Sequence, residues 1–175
     1  MSRTIDESGM RFGPFDDDAF FSIEASSIRA ALGPGIKAPE FVWLKHESPA
    51  ALWFVEAKSS SPQPNHIPDF DKFLDEIAQK FIHGLTLFVA ACLDRHADPT
   101  VELSPRLRAV NLGGAKIRLI LVINGHDKAW LPPLQDALRK VLEVDRRVWG
   151  LDSSAVVVLN HVMAATRGLV APIPP

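Results

Sequence analysis

The chain has one cysteine, Cys92, so it can form no internal disulfide, and a lone thiol without companions at ligand spacing does not build a zinc site. Cys92 follows Phe88, Val89, Ala90 and Ala91 and reads as a helical core residue. Long hydrophobic runs are also missing. The most apolar stretches, residues 119–123 and 155–159, stop far short of a membrane span. The N-terminal segment lacks the apolar centre and small-residue cleavage site of a secretory signal, and its acidic run is unlike a transit peptide. A cytoplasmic protein without a membrane partner is the expectation. There is no surplus of positive charge: 19 Lys and Arg stand against 21 Asp and Glu, a net charge of −2. That excludes the broad basic field of a protein that coats nucleic acid, though not a site with a few local phosphate contacts.

Several signatures of chemistry are absent as well. No Gly-x-x-x-x-Gly-Lys-Ser/Thr loop occurs, and Leu112-Gly113-Gly114 reads as a turn before a strand. No Gly-x-Ser-x-Gly elbow occurs. His46, His83, His96, His126 and His161 show no His-x-x-x-His spacing. The four tryptophans are assigned to packing, because no interleaving of basic and aromatic residues suggests a single-strand platform. No internal repeat is found.

What is present, 175 residues with 47% hydrophobic content, suffices for one domain with a substantial core. Residues 1–19 are polar, acidic and punctuated by Gly and Pro, predicting a flexible arm that packs only through Phe12 and Phe15; residues 20–170 form the domain. Ser26 is a candidate N-cap and Gly33-Pro34 a stop for a short helix. Residues 40–46 and 51–58 are strand-like runs joined by a four-residue turn, hence an antiparallel hairpin. The three prolines of residues 59–68 predict a loop. Phe70, Phe73, Leu74, Ile77, Phe81, Leu85 and Phe88 form the stripe of a long helix, with Asp69 as its expected N-cap. Ser104-Pro105 begins a short helix, residues 116–124 a central strand, residues 131–144 a helix and residues 155–159 a last buried strand. The terminal Pro-Ile-Pro-Pro is expected to fray. Later strands separated by helices predict an α/β three-layer sandwich with a mixed central β-sheet.

Chemistry concentrates on the hairpin. Strand alternation sets Glu56 and Lys58 on one face, roughly 6.5–7 Å apart along the chain, with Ala57 turned away. Ions beside Trp53, Phe54 and Val55 require compensation. Antiparallel pairing brings Glu40 alongside Glu56, and two adjacent carboxylates offer hard oxygens to Mg²⁺ or Mn²⁺. Lys58 is then placed to orient a metal-bound water and to stabilise phosphate charge. The competing reading is an exposed edge-strand ion pair of little energetic weight.

Pro39-Glu40 opening one strand, Glu56-Ala57-Lys58 ending the next and a long helix after it resemble the PD-(D/E)xK nuclease superfamily. The wording from Phe54 to Ser60 resembles a group of its small bacterial members. The resemblance implies a restriction endonuclease-like α-β-β-α-β core and a Mg²⁺- or Mn²⁺-dependent endonuclease acting on nucleic acid, DNA foremost, in defence or repair. It implies Glu40, Glu56 and Lys58 as catalytic residues and Glu24, Glu40 and Glu56 as metal ligands. Glu24 equally suits a helix first turn. Ser59, Ser60 and His66 of the loop and Gln79 and Lys80 of the helix are the candidate substrate contacts. His66 otherwise reads as exposed, and Gln79 and Lys80 as a polar helix face. The absence of a recognition domain and the near-neutral charge motivate the alternative, an inactive nuclease-fold interaction module working as a homodimer or with a partner protein.

Overall fold

A computed structural model describes residues 1–96 and 103–171. In chain order its strands are β1 (Ser2–Glu7), β2 (Met10–Asp16), β3 (Phe20–Phe21), β4 (Phe41–Lys45), β5 (Ala51–Lys58), β6 (Lys116–Ile123) and β7 (Val156–Asn160). Its helices are α1 (Ser27–Ala31), α2 (Ile67–Cys92), α3 (Pro105–Arg108), α4 (Leu131–Val141), α5 (Glu143–Val148) and α6 (His161–Thr166). The architecture is α/β: β3 to β7 form one mixed sheet in sequential order. β3, β4 and β5 are antiparallel neighbours, whereas β5, β6 and β7 run parallel and are joined by helical crossovers. Among the described residues, no helix is long and apolar enough to cross a membrane.

Both faces of the sheet are covered, which is why every residue from Ala51 to Ala57 is buried. Leu52 and Phe54 belong to a cluster with Phe81, Leu85 and Phe88 of α2 and Leu134 and Leu138 of α4. Ala51, Trp53, Val55 and Ala57 pack with Phe12, Phe15, Phe20 and Phe41 on the other face. This second layer corrects the expectation of a loose arm. Residues 2–16 form a hairpin with Phe12 and Phe15 almost wholly buried, bridged to Val170 and bonded to the backbone of Leu169 and Ala171. Its turn is Ser8-Gly9, with φ of 51° and 75°, a pair of left-handed residues that matches strand twist in a two-residue hairpin.

Local chemistry sets the helix starts. Ser26 Oγ accepts from Arg29 N–H and Ser104 Oγ from Leu107 N–H, as expected of both caps. The long helix begins earlier than its expected cap, at Ile67 with Pro68 in the first turn, so Asp69 is a first-turn acid. The helix predicted over 131–144 is two helices, because the backbone closes α4 at buried Leu142 and restarts. The fraying tail lies outside the described residues. β7 ends the sheet, and α4 covers its outer edge: Val158 N–H donates to Gln135 Oε1 at 3.0 Å, and Arg139 Nε donates to Val156 O at 3.3 Å. Those groups are thereby withheld from another strand.

Candidate active site

The hairpin register fixes the first two acids. Phe41 pairs with Val55, so one step further Glu40 comes level with Glu56. Glu56 is fully buried on the face that meets α2, and Lys58 follows it on the same face, its Nζ 2.8 Å from Glu56 Oε1. Ala57 packs in the opposite layer.

The third acid arrives through the edge strand. β3 pairs Phe21 with Val42, so the chain leaving β3 runs level with the start of β4 and delivers Glu24 in the turn before α1. Ser26 holds that turn, donating from Oγ to Ile23 O at 2.7 Å while capping α1. Glu24 therefore precedes the helix instead of occupying its first turn.

Lys80 enters from α2. Its Nζ donates to Glu56 Oε1 and Oε2 at 2.8 and 3.0 Å and lies 3.7 Å from Glu24 Oε1 and 3.8 Å from Glu40 Oε1. One turn later in the helix, Gly84 sits against the Pro39 ring so closely that a Cβ would overlap Pro39 Cδ and Cγ. Absence of that carbon lets the residue before Glu40 dock on α2. Glycine and proline thus set how near the carboxylate of one element comes to the ammonium of the other.

Charge in this cluster is strained. Burial, then the hydrogen bond with Glu24 and the charges of Glu56 and Glu24, push Glu40 up to about 9, so it carries a proton at neutral pH. Burial opposes ionisation of Glu24 too, but its hydrogen bond with Glu40 and the nearby Lys80 and Arg29 hold it below the ordinary carboxylate range. Burial pushes Glu56 up against the opposing pull of Lys80 and Lys58. Burial alone would lower Lys80, yet Glu56, Glu24 and Glu40 together raise it above the usual lysine range. Beside the protonated Glu40, Glu56 and Glu24 face the two amines, Lys58 and Lys80. It reaches solvent through Glu24 and Lys58, whose side chains are 38% and 34% exposed.

The structure brings together Glu24, Glu40, Glu56, Lys58 and Lys80. The other candidates lie apart. Ser59, Ser60 and His66 are exposed in the loop beyond Lys58, and Gln79 is exposed beside Ile82, Val141 and Asp145. From the sequence, Lys80 is a candidate substrate contact or else part of a polar helix face, and its place among the acids is new. A signal for its central place existed, since it lies three residues after buried Ile77 and four before buried Gly84, at the margin of the apolar stripe.

Among the described residues, no group of three or more His, Cys, Asp and Glu side chains is gathered so as to hold a metal ion. The three glutamates surround an ammonium instead. As a donor set they are all hard carboxylate oxygens, the chemistry that suits Mg²⁺ or Mn²⁺ and not zinc. The chain was also compared with known proteins, and no family model, curated protein or solved structure matches it.

Proposed function

We propose that the chain is a metal-dependent nuclease that hydrolyses phosphodiester bonds in nucleic acid, with DNA as the expected substrate. One observation carries the reading: five ionisable side chains from the β3–α1 turn, the β4–β5 hairpin and α2 converge on a point that opens to solvent. Burying ions is costly, and a fold that gathers three acids and two amines at one strand end is most simply explained by chemistry there. The succession α1, β4, β5, α2, β6 supports a restriction endonuclease-like core.

In this reading Glu24, Glu40 and Glu56 hold Mg²⁺ or Mn²⁺, which when bound supplies positive charge to a phosphoryl oxygen and acidifies a water. Lys58 is the amine nearest solvent and meets the non-bridging phosphate oxygens, while its contact with Glu56 holds its Nζ at a fixed point. Buried Glu56 is the anchor that positions both amines.

A second reading is favoured by Lys80 itself. Its ammonium already lies where the carboxylates converge, and proton uptake by Glu40 relieves the crowding of like charges without a metal. The chain is then an interaction module with a self-neutralised cluster.

Isothermal titration with Mg²⁺ and Mn²⁺, repeated in buffers of different ionisation enthalpy, separates the two. The nuclease binds metal with release of the Glu40 proton and nicks plasmid DNA, and Lys58→Ala abolishes nicking while keeping the fold. No heat and no thermal shift with either cation favours the module. Cleavage that persists in EDTA and in Lys58→Ala refutes the mechanism.

A further inference from the structure

A second concavity opens at the carboxyl ends of the parallel strands, where open α/β sheets take ligands. The loop leaving β5 brings Ser61 and Pro62 against Phe70 of α2 and Leu134 of α4. The loop after β6 brings His126 and Trp130 to the same place. The cleft encloses about 150 Å³. That is below the roughly 300–1,000 Å³ of sites for drug-sized ligands, and it suits a single planar group.

Its lining combines flat apolar walls with the polar side chains of Ser61, Gln63 and His126. Trp130 is 53% exposed, and its ring stands at 78° to that of His126 with centroids 5.3 Å apart, making a corner of two planes. Ser61 Oγ lies 3.1 Å from His126 Nε2. In either tautomer of the imidazole, the hydroxyl keeps at least one free lone pair for an N–H donor. Burial lowers His126 below the ordinary histidine range, so its ring is neutral at neutral pH. Asp127, the acid beside it, accepts from Ala129 N–H at 2.8 Å and so holds the turn that carries Trp130.

The corner is braced. Asn160 Nδ2 donates to His126 O at 3.0 Å, and His161 Nδ1 accepts from Gly125 N–H at 3.2 Å. Buried Leu131 and Leu134 fix the start of α4 directly after Trp130. A large aromatic ring is thus held half in water on a rigid mount, at small entropic cost for a stacking partner. Trp130 packs against His126 at the surface, as expected of a tryptophan used for packing, and still leaves half of its area in water.

We infer that this cleft is a nucleobase subsite, which takes one unpaired base by stacking on Trp130 and hydrogen bonding to Ser61. The inference rests on the nucleic-acid reading above and names its substrate class: a strand with at least one unstacked base. Ser61 follows Lys58, the amine assigned to the phosphate, by three residues, at most about 11 Å of extended chain. At the 3.4 Å rise of a stacked strand, the base held here lies on the order of three nucleotides from the scissile phosphate.

The test uses the full chain in EDTA, so that binding is read without cleavage. The probes are a short fluorescein-labelled single-stranded oligodeoxynucleotide, the same strand with one abasic residue moved along it, and the matching duplex. Fluorescence anisotropy is expected to show the single strand preferred over the duplex. Trp130→Ala should weaken that binding about tenfold, and Trp130→Phe should restore most of it. One abasic position should cost the wild type as much as Trp130→Ala does, and cost that variant nothing further. If Trp130→Ala fails to fold, the abasic series on the wild type and Trp130→Phe decides alone. Equal binding of all abasic strands, or equal binding by wild type and Trp130→Ala, overturns the inference. If no probe binds, the subsite falls, and plasmid nicking in Mg²⁺ or Mn²⁺ decides the nuclease reading on its own. Base-dependent binding without cleavage in Mg²⁺ or Mn²⁺ leaves the subsite standing and removes the nuclease.

Discussion

Replacing Lys80 by methionine keeps an unbranched apolar stem and removes the ammonium with its charge and its hydrogen-bond donors, so the variant isolates what that group does for the cluster. Glu56 has no exposed surface and would lose two of its three hydrogen-bond and ion-pair contacts. Removing one partner of a buried ion pair typically costs about 3–5 kcal/mol. Lys58 stays 2.8 Å away and favours the lower figure. At roughly 2–4 °C per kcal/mol for a domain of this size, the melting temperature should fall by roughly 6–12 °C.

The deficit should also depend on pH with a defined sign. Burial already raises Glu56, and without Lys80 that effect is less opposed. A carboxylate raised in the folded state contributes full stability below its unfolded range and loses it as pH climbs toward the folded value. The loss in Lys80→Met should therefore be larger at pH 8 than at pH 5. Thermal denaturation followed by circular dichroism in EDTA measures both effects. If the cluster then accepts Mg²⁺ in place of the ammonium, metal at about a hundred times its dissociation constant returns about 2.7 kcal/mol. A melting temperature within about 2 °C of wild type at pH 8, or a deficit that shrinks as pH rises, refutes the view that Lys80 compensates Glu56.

Glu40→Gln should flatten the pH dependence of stability. With Glu40 raised to about 9, the wild type loses up to about 1.4 kcal/mol per pH unit from the ordinary carboxylate range to that value, and urea midpoints in EDTA that stay parallel would contradict it. Gly84→Ala should lower the urea midpoint even though alanine favours a helix by about 1 kcal/mol, because overlap with Pro39 costs about 1–3 kcal/mol; a raised midpoint refutes the close approach. Gln135→Ala with Arg139→Ala frees Val158 N–H and Val156 O on the sheet edge and should produce concentration-dependent association in sedimentation velocity, whereas a concentration-independent coefficient refutes the guarding role.

The parts of the fold legible in sequence are those where period and punctuation agree. The β4–β5 hairpin announces itself by two apolar runs about a short polar turn, and α2 by its stripe from Phe70 to Phe88. Because hairpin register follows from turn length, the neighbourhood of Glu40 and Glu56 follows from it too. The β1–β2 hairpin was illegible for a physical reason: β1 is solvent-facing and charged, and Gly13-Pro14 interrupts the alternation of β2, so only Ser8-Gly9 marked the turn. β3 is two residues long, too short for any period, yet it delivers Glu24. Lys80 is legible as a lysine at the margin of the apolar stripe, but its partners are not, because local sequence is the same whether such a lysine meets water or three glutamates.

The two functional readings differ in what Glu56 has left to give. A carboxylate offers about four lone-pair positions, and three contacts are already made, Oε1 receiving Lys58 and Lys80 and Oε2 receiving Lys80 again. Glu24 and Glu40 touch Lys80 only loosely, at 3.7 and 3.8 Å, and Glu40 holds a proton that a cation would displace. In the nuclease reading, Glu24 and Glu40 would offer a metal the oxygens least engaged by Lys80, and Glu56 would join them only if the Lys80 ammonium turned aside on its flexible stem. Lysine is the residue that permits this, since its charge is a point on a four-carbon chain, whereas the rigid fork of arginine would bind the acids in one geometry. The identity of residue 80 thus leaves the cluster able to exchange one cation for another, which the hydrolytic reading requires and a purely structural ion pair does not.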